Sequence, residues 1–84
     1  MKDLILYTQP RCGLCNDAKI QIEFAQAQCS FEVKEINILS DDQLNELYCM
    51  RVPVLVDAER AFVIQEGQID FVTIIEYMEQ ISSK

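Results

Sequence analysis

The chain has no histidine and no tryptophan, seven lysines and arginines against fourteen aspartates and glutamates, and only two glycines and two prolines in 84 residues. Each scarcity excludes something. Without histidine, a metal site must be built from cysteine or carboxylate ligands. A formal net charge of −7 with no basic cluster argues against nucleic acid and against anionic membrane surfaces, both of which it would repel. Few chain breakers and an apolar content of 50% describe a folded chain, not a disordered one. No apolar run approaches the length of a membrane-spanning helix. The N-terminal "MKDLILYTQPR" has no continuous apolar h-region and no small-residue cleavage site, so no secretory signal is expected and a cytoplasmic location is. The length leaves no room for a second core: one domain, 1–84, expected as a monomer.

What is present is well patterned. No repeat, linker or low-complexity stretch interrupts it. Asp3 to Thr8, "DLILYT", is a nearly continuous apolar run, predicting a strand covered on both faces. Gln9-Pro10-Arg11 breaks it. From Gly13 to about Gln28 a helical stripe of Leu14, Ala18, Ile22, Ala25 and Cys29 emerges, with Ile20, Phe24 and Ala27 forming a second stripe on the far side. Phe31 to Ile38 alternates apolar and charged residues and predicts a half-exposed edge strand, its charges discouraging edge pairing. Ser40 with Gln43 reads as a capping box opening a short helix that turns Leu44, Leu47 and Tyr48 inward. Val52 to Val56 and Arg60 to Ile64 predict an antiparallel hairpin across Asp57-Ala58-Glu59. Gln65 to Gln68 is a turn containing Gly67, and Ile69 to Ile81 a last helix with Phe71, Ile74, Ile75 and Met78 on one face. The order β-α-β-α-β-β-α, with the first two strands parallel, makes an α/β domain: a mixed four-stranded sheet flanked by helices.

Within this frame stand four cysteines, two of them in the C-x-x-C of "YTQPRCGLCND". That spacing suits a metal, a staple or electron transfer. A staple between Cys12 and Cys15 would close a very small loop and stabilise little. A zinc ion held by the four cysteines meets gaps of 3, 14 and 20 residues, and Cys29 should lie about 25 Å from Cys12 along the helix. One ion cannot bridge that. An iron–sulfur cluster shared between two chains escapes the objection. For redox chemistry the placement is apt. Cys12 falls where a strand gives way to a helix, facing unpaired N–H groups and the positive end of the helix dipole, with Arg11 adjacent. Such surroundings favour thiolate, with pKa values of roughly 3.5–7.5 against about 8.5 for a free cysteine, although Asp17 in the first turn opposes this. Cys15, one turn on, is close enough to form a disulfide with Cys12. Cys12 is then the attacking thiolate and Cys15 the resolving thiol. Cys29 reads as a small core hydrophobe, and Cys49, at the end of the second helix, stays open between redox and incidental roles.

"LYTQPRCGLC" after a strand, followed some 40 residues later by "RVPVLV", resembles the thioredoxin superfamily, and most of all its small glutaredoxin-like members, over nearly the whole chain. The resemblance implies a cis peptide at Val52-Pro53, against the two thiols, with the Val52 backbone groups free to pair with an extended substrate. It also implies glutathione or a disulfide-bearing protein as substrate, glutathione or a reductase as electron donor, and no bound cofactor or metal. The chain departs from the family pattern in places. Gly13-Leu14 replaces the Pro-Tyr typical of glutaredoxins, Gln9 stands near the position of a family lysine, and Arg51 replaces the threonine of Thr-Val-Pro. The Gly-Gly-x-x-Asp that holds glutathione's carboxylate end becomes Glu66-Gly67-Gln68-Ile69-Asp70, keeping Gly67 and Asp70 but adding a negative charge. Arg11 and Arg51 are the cations that could receive a glutathione carboxylate. Thioredoxins proper carry a buried acid where this chain has Leu6.

Two functions therefore compete, beside a third reading in which the chain is a redox-inert relative that keeps the motif for packing. One is a dithiol–disulfide oxidoreductase using Cys12 and Cys15, with Arg11, Arg51, Val52, Pro53, Gly67 and Asp70 around the substrate. The other is a docking or assembly module, dimerising around a glutathione-ligated iron–sulfur cluster, motivated by the stripe of Ile20, Phe24 and Ala27.

Overall fold

A computed structural model describes residues 3–82. The ends of the expected domain, residues 1, 2, 83 and 84, lie outside the described residues. The sheet contains β1 (Asp3–Thr8), β2 (Glu32–Asn37), β3 (Val54–Asp57) and β4 (Phe62–Glu66), and the helices are α1 (Gly13–Gln26), α2 (Asp42–Tyr48) and α3 (Phe71–Ser82), with one 3₁₀ turn at Ile38–Ser40. Strand order is β2-β1-β3-β4. β1 and β2 are parallel, from Asp3 opposite Glu32 to Thr8 opposite Asn37. β3 runs antiparallel to both neighbours, Tyr7 facing Val54 on one side and Val54 facing Glu66 on the other. The α/β architecture read from the sequence is the one found, with β2 at an edge.

Period-two alternation decides which face is filled. Leu4, Leu6 and Thr8 of β1 are buried, and Leu4, Leu6 and Leu55 join Ala18, Ile22 and Ala25 of α1 with Ile74 and Met78 of α3 in one core. The opposite face is covered less completely than the apolar run of β1 suggested: Ile5 and Tyr7 are only half-buried. α2 is short and reaches that face at one end, where Tyr48 stacks on Tyr7 with ring centres 4.7 Å apart.

Four local expectations are corrected. The inward stripe of α1 begins at Cys15, which is 2% exposed, and not at Leu14, which is 50% exposed. Asp17 lies just beyond the first turn, which carries no acid. Ser40 does not cap α2. Its hydroxyl donates to the Asn37 carbonyl, and Asp41 accepts the Gln43 N–H at 2.8 Å in its place. Nor does α2 bury Leu47, which is exposed, while Leu44 and Tyr48 are half-buried.

The hairpin is displaced by about two residues, for reasons visible at both ends. Pro53 has no N–H for the ladder and its carbonyl accepts the Gly67 N–H at 2.9 Å, so β3 starts at Val54 and not at Val52. At the turn, the Asp57 carboxylate accepts the N–H groups of Glu59 and Arg60, which holds Arg60 out of β4. β4 therefore runs on to Glu66, leaving only Gly67 and Gln68 for the turn beyond. Asp70 accepts the Thr73 N–H at 3.0 Å, and α3 starts after it, at Phe71 and not at Ile69.

Candidate active site

The pairing brings the C-terminal end of β1, the N-terminal end of β3 and the C-terminal end of β4 to one edge of the sheet. The loops carrying Cys12, Val52-Pro53 and Gly67 consequently meet at that edge.

Cys12 is the N-cap of α1, in extended backbone (φ −113°, ψ 108°), and its Sγ accepts the Cys15 N–H at 3.1 Å. A sulfur occupies the place a serine or aspartate oxygen takes at most helix starts. Cys12 and Cys15 are joined by a disulfide with Cα atoms 5.2 Å apart. The two sulfur-bearing residues differ in access: Cys12 is half-buried, Cys15 almost wholly buried. Just before them, exposed Arg11 adopts a left-handed backbone at φ 57°, a region that costs a residue with a Cβ about 1–2 kcal/mol.

The Val52–Pro53 peptide is cis and Pro53 is buried. Val52 does not keep both backbone groups free, because its N–H donates to the Tyr48 carbonyl at 3.1 Å. Its carbonyl accepts no hydrogen bond among the described residues. Arg51 is engaged too. Its guanidinium donates twice to Glu66, at 3.0 and 2.5 Å, and lies 5.7 Å from the Tyr48 ring centre. The hydrogen bonds and charge of Glu66 push its pKa further up. Glu66 thus does more than add a negative charge: it occupies the cation expected to greet a carboxylate.

Gly67 sits at φ 81°, where a residue without a Cβ is favoured. Asp70 serves as a helix cap. Beyond the Thr73 N–H it accepts the Thr73 hydroxyl and the Gln65 amide, and Gln65 accepts the Asp70 N–H in return. The Gln65 amide foremost, then the Thr73 N–H, hold its carboxyl below the usual carboxylate range against a small opposing effect of burial.

A groove of about 230 Å³ runs beside α1, lined by Leu14, Asp17, Ile20 and Gln21 of that helix and by Gln68, Ile69 and Asp70. On the core face of the sheet, Glu35 accepts the Thr8 hydroxyl at 3.0 Å and pairs with Lys19 at 2.9 Å, and the Lys19 hydrogen bond leads in lowering its pKa. Sequence reading passed over this trio. Its one signal was Lys19 one turn beyond Cys15; the partner on β2 becomes visible only from the β1–β2 register. Cys29 packs against the core, half-buried, and Cys49 is an exposed free thiol. Among the described residues no three cysteines, aspartates or glutamates are grouped to hold a metal ion, and no helix is long and apolar enough to cross a membrane.

Residues 3–81 match the family described as the Glutaredoxin-like domain (DUF836). No curated protein matches the chain significantly. Among solved structures, a Nitrosomonas europaea protein is 28% identical with a TM-score of 0.80, the alignment covering 92% of this chain and 91% of that one. An X. campestris protein is likewise 28% identical, covering 92% of this chain and 96% of its own, at a TM-score of 0.66. Thioredoxin 1 of Thermosipho africanus shares the fold: 17% identity, TM-score 0.62, 98% and 99% covered.

Proposed function

The chain belongs to the glutaredoxin-like domain family, and from that membership we propose that it is a thiol–disulfide oxidoreductase. The observation that carries the proposal is the Cys12–Cys15 disulfide with unequal access, its accessible sulfur at a helix N-terminus. In the reduced protein the Cys12 thiolate attacks one sulfur of a substrate disulfide. That S–S bond breaks, a mixed disulfide forms on Cys12, and the other substrate sulfur leaves as a thiolate. Cys15 then loses its proton and attacks Cys12 Sγ, releasing the second substrate thiolate and forming the Cys12–Cys15 disulfide. Two electrons pass from the protein to the substrate, whose thiolates take up two protons. A thiol donor, glutathione or a reductase dithiol, returns the electrons.

The remaining residues take positioning roles. N–H groups at the start of α1 and the Arg11 charge stabilise the thiolate of the reduced protein over the thiol. The Val52 carbonyl, beside buried Pro53, is left to receive a substrate N–H in the manner of an added strand. Burial of Cys15 keeps it from outside disulfides while holding it one turn from the mixed disulfide, where high effective concentration makes resolution fast.

The test is trapping. Cys15→Ser, mixed with a disulfide substrate, should accumulate a covalent adduct on Cys12, seen by mass spectrometry. With the free thiols Cys29 and Cys49 replaced by serine in both variants, Cys12→Ser should form none and lose turnover by several orders of magnitude. Equal adduct formation by both variants would sink the assignment.

The second reading, an assembly module, draws on Ile20 and Phe24, which are 49% and 55% exposed on α1. It requires glutathione and a second chain to complete a cluster, and a colourless monomer after anaerobic reconstitution with iron and sulfide would exclude it.

A further inference from the structure

The groove beside α1 bears on which disulfides are reduced, an inference that rests on the oxidoreductase reading. Its lining includes Leu14, which separates the two cysteines in the chain, so a long side chain flanking a substrate cysteine bonded to Cys12 is placed to reach it. At about 230 Å³ it falls below the roughly 300–1,000 Å³ of pockets that enclose a whole small molecule. One long side chain of a larger partner is the better fit.

The charge on its walls is of one sign. Asp17 contributes from α1 and Asp70 from the cap of α3, and neither forms an ion pair among the described residues. Hydrogen bonds from Gln65 and Thr73 fix the Asp70 carboxylate in place and keep it ionised. Lys19 is committed to Glu35 and Arg51 to Glu66, and none of the groove's lining residues is a cation; exposed Arg11 precedes Cys12, outside that lining. Leu14, Ile20 and Ile69 give the lining apolar surface, and Gln21 and Gln68 add uncharged polar surface. Walls that offer apolar surface, two carboxylates and no cation suit a side chain with a methylene stem and a cationic head. An anionic tripeptide meets repulsion there, added to that of a chain carrying −7.

We propose that this groove selects protein disulfides with a lysine or arginine next to the reacting cysteine, in preference to glutathione disulfide. Asp17 and Asp70 are its specificity-determining residues. The exchange itself is the one already described, with electrons passing from the reduced Cys12–Cys15 pair to the basic substrate's disulfide.

The experiment uses the full chain in its reduced form and three probes: two short peptide disulfides differing only in Lys or Glu beside the cysteine, and glutathione disulfide. Each second-order rate is divided by that of a small-molecule dithiol, removing differences in intrinsic reactivity. The Lys peptide should react about tenfold faster than the Glu peptide at low salt, and glutathione disulfide no faster than the Glu peptide. The ratio should shrink severalfold at high salt and fall severalfold in Asp17→Asn, an exposed position. Asp70→Asn, which keeps an acceptor for Thr73, gives a second reading of the same effect. A ratio near one, or a ratio that neither variant nor salt alters, overturns the selectivity. If all three probes are reduced alike, the oxidoreductase stands and the selectivity falls; if none is reduced, both fall.

Discussion

At the scale of single residues, the site is organised by what each group is already bonded to. Cys12 and Cys15 were legible in the sequence because type and spacing carry the chemistry: two sulfurs three residues apart at a helix start. The fate of Arg51 was not, because Glu66 is fifteen positions away and reaches it only through the β3–β4 register. Arg11 is the informative outlier. Its left-handed backbone is strained, and strain retained beside a reactive group motivates a functional role for the side chain. Arg11→Gly should raise stability by about 0.5–1 kcal/mol, the left-handed penalty less the extra chain entropy glycine loses on folding. The same change should raise the Cys12 pKa in the reduced protein by removing an adjacent positive charge. Urea unfolding and thiolate absorbance against pH report the two effects separately. A variant less stable than wild type, or one with an unaltered thiolate titration, contradicts the corresponding half.

At the scale of elements, the existence and order of strands and helices were readable, while their limits were set by long-range contacts. Periodicity located β3, but its first residue depended on Pro53 giving its carbonyl to Gly67, and the start of β4 depended on Asp57 capturing the turn. Ser40 lost α2 because Asp41, one residue closer, supplied the capping oxygen. The turn from β4 to α3 concentrates these dependencies. Gly67 at φ 81° bonds to Pro53 behind it, and Asp70 caps the helix ahead. A Cβ at Gly67 would meet nothing within 4 Å, so the cost of Gly67→Ala is one of backbone conformation alone. It should amount to about 1–2 kcal/mol, read as a lower urea midpoint at an unchanged slope. A neutral substitution would mean that the turn adopts another conformation without loss. Beyond stability, the rate of exchange should fall too, since this turn holds both the Pro53 loop and the Asp70 wall of the groove.

At the scale of the whole molecule, the end of the sheet away from the disulfide is held by a polar knot that couples stability to pH. Asp57 is 2% exposed, yet it accepts the Tyr77 hydroxyl at 2.6 Å, the Arg60 guanidinium at 3.2 Å and two backbone N–H groups. Burial pushes its carboxyl up, and the hydrogen bonds, led by that of Tyr77, outweigh burial and bring its pKa below the ordinary 3.8. Asp70 lies below 3.8 and Glu35 below 4.5 as well, the latter through a half-exposed pair that salt should weaken. For each of these the folded state binds its proton less tightly than the unfolded chain. Their stabilisation is therefore complete above about pH 4.5 and is lost as pH falls through the lower folded values. Tyr77 works in the opposite direction. Burial first, then its bond to Asp57, push its pKa up to about 12 from an ordinary 10.0. The folded state holds this proton more tightly, so the contribution is complete below about pH 10 and lost on the way to about pH 12. The stability profile should thus be a plateau with an acid shoulder and an alkaline shoulder of separate origin. Tyr77→Phe removes a hydrogen bond to a buried charge and should cost about 1.5–3 kcal/mol on the plateau. It should also erase the tyrosine's share of the alkaline decline and move the onset of the acid decline upward, because Asp57 loses its strongest donor. Urea unfolding across pH tests all three effects, and an alkaline limb unchanged in the variant would place the cause of that decline outside the Asp57–Tyr77 pair.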